Sequence, residues 1–129
     1  MLEVAIAVFM IGMGLGIAGI WTIDIARGTY VDRANGVLRA RSSDGSWLLP
    51  HWLAEYGTAA ALLGGSAGLL TSVGWAVPLT AAALGATCYS STNGLGWALA
   101  EVSRRAYAVP MGIGLVGSLT CLVALVAAQ

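Results

Sequence analysis

The chain has 129 residues, no net charge and a strongly apolar composition. Hydrophobic residues make up 58% of it and charged residues 9%, whereas a typical soluble domain carries about 25% charged residues. Such a composition excludes an ordinary soluble fold, because the apolar surface could not be hidden from water. The zero net charge gives no reason to expect nucleic acid as a partner.

The apolar residues fall into four long segments, and a membrane-spanning helix needs about 20 mostly apolar residues. We therefore predict an all-α, polytopic membrane protein that forms one domain, a four-transmembrane-helix bundle over residues 1–129. The first segment has no basic region before it, so we expect a retained helix rather than a cleaved signal peptide. The predicted helices lie near residues 2–25, 48–73, 75–100 and 107–127, with loops at 27–47 and 101–106.

The first segment is rich in glycine and ends in charged residues. Gly12 and Gly16 lie one helical turn apart and leave a bare strip on one face, where another helix can approach closely. Packing inside the bundle and a homodimer seam both remain open for this strip. Asp24 and Arg27 are spaced i,i+3, so they can pair across one turn.

The polar stretch that follows contains two turn signals, Asn35 with Gly36 and Asp44 with Gly45. Asn-Gly favours a type I′ turn because both residues tolerate a positive φ angle, so this pair could close a short hairpin between residues 30–31 and 37–38. An amphipathic helix on the membrane surface is the competing interpretation. Gly36 in its middle argues against that helix, so we favour an irregular or hairpin-like loop on the membrane surface.

The second segment begins after Pro50, a residue that fits the first turn of a helix. His51 and Glu55 lie on adjacent turns of one helical face, and a carboxylate within a membrane span is a candidate functional group. Three roles remain open for Glu55: an interhelical anchor, a proton- or quinone-linked group, and a ligand for a solute or metal. One His/Glu pair supplies too few ligands, so we predict no metal site.

The third segment carries seven consecutive residues with polar or weakly polar side chains, residues 87–93. Ser, Thr and Asn can join neighbouring helices by hydrogen bonds, and they can also line a small wet cavity. Both interpretations are open, because seven residues cover every face of a helix. The candidates for a polar path are Thr87, Tyr89, Ser90, Ser91, Thr92 and Asn93.

All six basic residues are arginines in two connections, Arg27, Arg33, Arg39 and Arg41 in the first and Arg104 and Arg105 in the second. The positive-inside rule predicts that both connections are cytoplasmic and both termini outside, in a plasma (inner) membrane. Charged groups of three helices then meet at one membrane face. The candidates for a proton or ligand pocket there are Glu55, His51, Asp24 and Arg27.

Residues 53–57 (Leu-Ala-Glu-Tyr-Gly), 62–65 (Leu-Leu-Gly-Gly) and 84–86 (Leu-Gly-Ala) resemble the DoxX-like family of small four-helix membrane proteins. Members often carry a glutamate entering the second helix, which corresponds to Glu55. The resemblance implies a membrane subunit that is associated with quinone-linked oxidation or with membrane redox complexes.

These patterns predict a small integral subunit or accessory protein of a larger, quinone-linked membrane assembly, with a quinone as candidate cofactor. The alternative is a small oligomeric transporter or channel for a small or proton-coupled solute. The expected partners are the lipid bilayer and either other membrane subunits or further copies of the chain. The chain offers no nucleophile–base pair, so we do not expect it to be an enzyme on its own.

Overall fold

The computed structural model describes residues 1–26, 31–32, 37–38, 49–100 and 102–128. Four helices dominate, α1 Leu2–Ala26, α2 Leu49–Leu70, α3 Ala76–Ala100 and α4 Ala108–Ala127. A 3₁₀ helix, Val102–Tyr107, connects α3 to α4, where the sequence predicts a loop. The predicted all-α class with four helices is confirmed for the described part of the chain.

Two very short strands lie in the long connection between α1 and α2. Strand β1, Val31–Asp32, pairs antiparallel with β2, Val37–Leu38. This pairing lies within the stretch where the sequence favours an irregular or hairpin-like loop. The predicted turn at Asn35 and Gly36 lies outside the described residues, as does most of the loop predicted at residues 27–47.

The last three helices share a proline in the first turn. Pro50 is the second residue of α2, while Pro78 and Pro110 are each the third residue of their helices. The first four amides of a helix have no intrahelical acceptor, so proline loses no hydrogen bond there, and its fixed φ angle suits the helix. These prolines start the helices and do not kink them.

Helix α2 ends at Leu70, three residues before the predicted boundary. The Ser72 amide donates to the Leu69 carbonyl at 3.2 Å, and the Val73 amide donates to the Gly68 carbonyl at 3.2 Å. These two bonds form a Schellman motif, which requires a left-handed residue after the helix. Ser72 occupies that position with a φ of 54°. The chain therefore turns at once into α3, rather than continuing the helix to Val73.

The helices pack in sequence order, α1 on α2, α2 on α3 and α3 on α4, with a smaller contact between α1 and α4 that closes the bundle. The end of α1 lies beside the start of α2, and the end of α2 beside the start of α3. Neighbouring helices are therefore antiparallel, the up-down arrangement that short connections favour. Ile6, Met10, Leu62 and Leu84 form the centre of the core, each at most 1% exposed.

Glycines set the closest helix approaches. A Cβ added at Gly14 would lie 3.1 Å from the Ala59 carbonyl oxygen, and one at Gly65 would lie 3.3 Å from Thr80 Cα. Gly12 and Gly16 instead face outward with no atom within 4 Å of such a Cβ. The predicted strip on α1 therefore does not pack inside the bundle, and Gly14 takes that role against α2.

Two helices are long and apolar enough to cross a membrane, over Leu2–Ile23 in α1 and Arg105–Ala127 at α4, with mean hydropathies of 2.2 and 2.1. Only 22% and 17% of their most apolar windows are buried. Large apolar side chains such as Leu15 and Val116 therefore point away from the bundle, 59% and 65% exposed. Helices α2 and α3 do not reach the same hydropathy.

Candidate functional site

Glu55 lies in the second turn of α2, at the contact with α3, and its side chain is only 8% exposed. The hydroxyl of Ser90 on α3 donates a short hydrogen bond to its Oε1 atom. Glu55 belongs to the predicted pocket and Ser90 to the predicted polar path. The structure brings these two sets of candidates together at one point between the helices.

The Ser90 hydroxyl is the one hydrogen-bond partner of Glu55 among the described side chains, and no described basic group pairs with it. Oε2 consequently accepts no bond from that part of the chain. A buried carboxylate is costly unless it is paired or hydrogen-bonded. Glu55 is therefore a buried acidic group with one oxygen held in place and the other available to a proton or a ligand.

His51 lies one turn before Glu55 and is exposed at the end of the bundle. Its ring meets the half-buried ring of Trp21 on α1 edge to face, with centroids 4.9 Å apart and an interplanar angle of 78°. Aromatic rings favour this geometry. The contact connects the last turns of α1 to the first turn of α2, beside the buried carboxylate.

A second connection between α1 and α2 is a hydrogen bond of 2.8 Å between Thr22 Oγ1 and the Tyr56 hydroxyl. The sequence patterns give neither residue a role, although Tyr56 lies within the stretch 53–57 that resembles the DoxX-like family. Both are nevertheless immediate neighbours of site residues, since Thr22 follows Trp21 and Tyr56 follows Glu55. Adjacency to the predicted pocket is the signal that could have found them.

The two remaining members of the predicted pocket are Asp24 and Arg27. Asp24 belongs to the last turns of α1, but its side chain lies outside the described part of the structure, and so does the whole of Arg27. The site as described contains Trp21, Thr22, His51, Glu55, Tyr56 and Ser90.

The polar run of α3 is divided among different faces of the helix. Thr87 and Ser91 are buried, 1% and 4% exposed, whereas Tyr89 is 74% exposed and Asn93 also lies on the outer surface. Thr87 and Thr92 each donate at 2.8 Å to the carbonyl four residues earlier, so their hydroxyls are satisfied within α3. Among the described side chains, Ser90 is the path candidate that hydrogen-bonds to a residue of the predicted pocket.

The chemistry available at the site is proton exchange and hydrogen bonding. Glu55 supplies an acceptor, Tyr56 supplies a hydroxyl and His51 can donate or accept. Among the described residues, no group of three or more His, Cys, Asp or Glu side chains is arranged to hold a metal ion.

Comparisons of the chain with protein-family models, curated proteins and solved structures gave no match. The resemblance to the DoxX-like family stays a prediction.

Proposed function

We propose that the chain is a four-span membrane protein, a small subunit or accessory protein of a larger quinone-linked assembly. The exposed apolar faces of α1 and α4 support insertion in lipid, because water would oppose so large an apolar surface. Helices α2 and α3 contain 22 and 25 residues. At 1.5 Å per residue, even the shorter of them extends roughly 33 Å, enough for a hydrocarbon layer of about 30 Å.

The lower hydropathy of α2 and α3 is compatible with spanning, because many of their polar groups are directed inward or bonded to their own helix. Ser66 and Thr87, for example, are buried and donate to carbonyls of their own helices at 2.8 Å. Such groups need no water and tolerate a membrane interior. In the proposed orientation both arginine-bearing connections are cytoplasmic, so the Glu55 site lies towards the cytoplasmic side of an inner membrane.

The main support for a proton- or quinone-linked role is that Glu55 is buried and accepts a hydrogen bond from Ser90. An ionisable group within a span is expensive and usually functional. Ser90 fixes Oε1, so that Oε2 accepts or releases the proton, and His51 at the exposed end of the same face exchanges it with water. The site thus provides a short route for protons between the membrane interior and its surface.

A quinone fits the donors and acceptors of this site. Bound there, it would supply two-electron chemistry coupled to two protons. Tyr56 and His51 offer hydrogen-bond donors to the quinone carbonyls, Glu55 offers an acceptor for a hydroxyl of the reduced quinol, and Trp21 provides an aromatic face. The chain's own residues bind, orient and exchange protons, while a redox partner subunit provides or removes the electrons. The resemblance to the DoxX-like family agrees with this role.

The proposal is tested by purifying the chain in mild detergent from its own membranes, then measuring mass and extracting lipid-soluble cofactors. We expect heterologous redox subunits in the complex and a quinone in the extract, and less quinone from a Glu55→Gln variant than from the wild type. A Thr120→Ala variant on α4 is the control. Purification without redox partners or quinone would contradict the proposal.

The second candidate is a small oligomeric transporter, and the exposure of Tyr89 and Asn93 favours it. In that role a solute would pass between copies of the chain along these outward groups. The two functions differ in a vesicle assay. Solute uptake by the purified chain alone, abolished by Asn93→Leu and unchanged by removal of quinone, would favour transport over the redox role.

A further inference from the structure

A groove runs along the outside of the bundle between α1 and α4, here named the α1–α4 groove. Its volume is about 640 Å³, within the roughly 300–1,000 Å³ of sites that hold small ligands. Every side chain that lines it is apolar, and the lining is formed by Phe9 on α1 and by α4 between Ala108 and Gly117, with Val109, Gly112 and Val116 among its residues. The two helices beside the groove are those apolar enough to cross a membrane, so in a membrane it opens to lipid hydrocarbon.

Glycines open the α1–α4 groove from both helices. On α1, Gly12 and Gly16 follow Phe9 by three and seven residues, which is the spacing of one helical face. Gly12, Gly16 and Gly112 have no atom within 4 Å of a Cβ built on them, so space is left where side chains would otherwise meet. At the far end the Phe9 ring packs on Gly117, where an added Cβ would lie 2.6 Å from Phe9 Cζ. That contact closes the groove.

The α1–α4 groove is as long as one leaflet of a bilayer. From Ala108 to Gly117 it follows α4 for about 14 Å at 1.5 Å per residue, and half of a hydrocarbon layer is about 15 Å thick. It begins at the first residue of α4, near the end of the apolar segment that starts at Arg105. A lipid chain of one leaflet matches this length, whereas a packed transmembrane helix would follow α4 along its whole span.

Arg105 lies at the open end of the α1–α4 groove. It precedes Ala108 by three residues in the 3₁₀ helix Val102–Tyr107, and three residues make one turn of such a helix, so the two residues share a face. Arg105 is exposed, and no acidic side chain among the described residues pairs with it. An arginine keeps its guanidinium at the membrane surface while its stem lies on apolar residues, and its planar fork matches the oxygens of a phosphate.

We propose that the α1–α4 groove binds one acyl chain of an anionic phospholipid, whose phosphate lies against Arg105. The apolar lining covers the chain, the length of the groove matches one leaflet, and the cation lies at the depth of the headgroups. A quinone tail brings no anionic group to Arg105, and a protein helix does not end at mid-membrane. The site requires α1 and α4 to lie in a membrane but needs neither a quinone nor a partner subunit, so its failure and the failure of the quinone-linked role are distinguishable.

The first test counts the phospholipids bound to the purified chain by mass spectrometry of the intact protein in mild detergent. We expect one saturable phosphatidylglycerol per chain, bound about fivefold more tightly than phosphatidylcholine with the same acyl chains, the gain from one basic residue at the membrane surface. Arg105→Gln should abolish this preference, and Arg105→Lys should keep it. Gly112→Leu should weaken the binding of both lipids about tenfold, because it displaces about two methylene groups from the groove.

Gly96→Leu is the matched control, because Gly96 is an exposed glycine with the same free space on the outside of α3. This variant should bind both lipids as the wild type does. A Gly112→Leu chain that binds like the wild type, or an Arg105→Gln chain that keeps the preference, would overturn the proposal. So would the release of a bound protein, rather than a lipid, by Gly112→Leu, since a protein would then occupy the groove.

The second test locates the bound lipid on the chain. A phosphatidylglycerol with a photoactivatable acyl chain, added at one molecule per chain in detergent, should label the tryptic peptides of α1 and α4. Trypsin cuts after arginine, so these peptides are residues 1–27 and 106–129, whereas residues 42–104 contain α2 and α3. The label should be lost in Gly112→Leu and retained in Gly96→Leu. Labelling chiefly within residues 42–104 would overturn the proposal.

Discussion

The hydroxyl of Ser90 on α3 donates to Oε1 of Glu55 on α2, across 35 residues of sequence. This bond depends on the register of two antiparallel helices, which the turn at residues 71–75 sets. Because the Glu55 side chain is largely buried, the same bond stabilises the helix pair and holds one carboxylate oxygen in place. The site and the helix packing are therefore coupled.

Removing the Ser90 hydroxyl, which donates to Glu55, should destabilise the bundle. A buried acceptor that loses its partner costs about 1–3 kcal/mol, although interhelical bonds in membranes average only about 0.6 kcal/mol, so we expect about 1 kcal/mol for Ser90→Ala. Unfolding by a denaturing detergent in mixed micelles measures this loss. Thr120→Ala is the control, because that exposed hydroxyl bonds only to the Val116 carbonyl of its own helix. Equal effects of the two variants would contradict an interhelical role for Ser90.

The left-handed residue that ends α2 offers a stabilising substitution. Ser72 has a φ of 54°, and a non-glycine residue in this region costs about 1–2 kcal/mol. Ser72→Gly is therefore expected to raise the free energy of unfolding by up to about 1 kcal/mol, part of the gain being offset by the greater freedom of glycine in the unfolded chain. Gly74→Ala, at a position with no atom near the added Cβ, is the control. A loss of stability in Ser72→Gly would contradict the Schellman ending.

Two adjacent glycines of α2 should respond oppositely to alanine. At Gly65 an added Cβ would lie 2.9 Å from Met10 Cε and 3.0 Å from Thr80 Oγ1, whereas at Gly64 the nearest atom is Leu79 Cδ2 at 3.6 Å. Overpacking costs about 1–3 kcal/mol, while replacing glycine within a helix gains roughly 0.5–1 kcal/mol. We expect Gly65→Ala to lower thermal stability and Gly64→Ala to preserve or raise it. The reverse order would contradict the α1–α2–α3 packing.

The four-span topology predicts which residues a membrane-impermeant reagent can reach from each side of the membrane. In a chain without Cys88 and Cys121, we expect a membrane-impermeant thiol reagent to label Ser72→Cys from outside intact cells. Ser42→Cys, in the arginine-bearing connection, should react only after the membrane is opened. If only α1 and α4 crossed the membrane, the turn at residues 71–75 and the arginine-bearing connection would lie on the same side of it. Labelling of both cysteines from the same side would therefore contradict four spans.

The sequence predicts the number of helices well, because long apolar segments and first-turn prolines are local signals. It does not predict that α2 ends at Leu70, since a serine replaces the glycine that usually marks a left-handed helix ending. Of the two roles that the sequence leaves open for Gly12 and Gly16, Gly14 fills the one inside the bundle. Glycines two residues apart face opposite sides of a helix, and hydropathy alone does not say which side faces the neighbour.

The candidate site was predicted only in part. The i,i+4 spacing of His51 and Glu55 places them on one face from sequence alone. The structure has His51 against Trp21 of α1 and Glu55 against Ser90 of α3. The partnership with Ser90 could not be predicted, because it depends on a relative position of α2 and α3 that no local pattern contains. No sequence pattern gives Thr22 or Tyr56 a role in the site, and their contact follows from the antiparallel packing of α1 on α2.

The most direct measurement of the proposed role is binding of a short-chain quinol to the purified protein, with Glu55→Gln beside the wild type. We expect saturable binding by the wild type. The Glu55→Gln variant should bind about tenfold more weakly, the loss of one hydrogen bond, because Ser90 would hold the amide oxygen and leave an NH2 donor in place of the accepting Oε2. Identical isotherms for both proteins would contradict a functional carboxylate and leave Glu55 as a packing anchor.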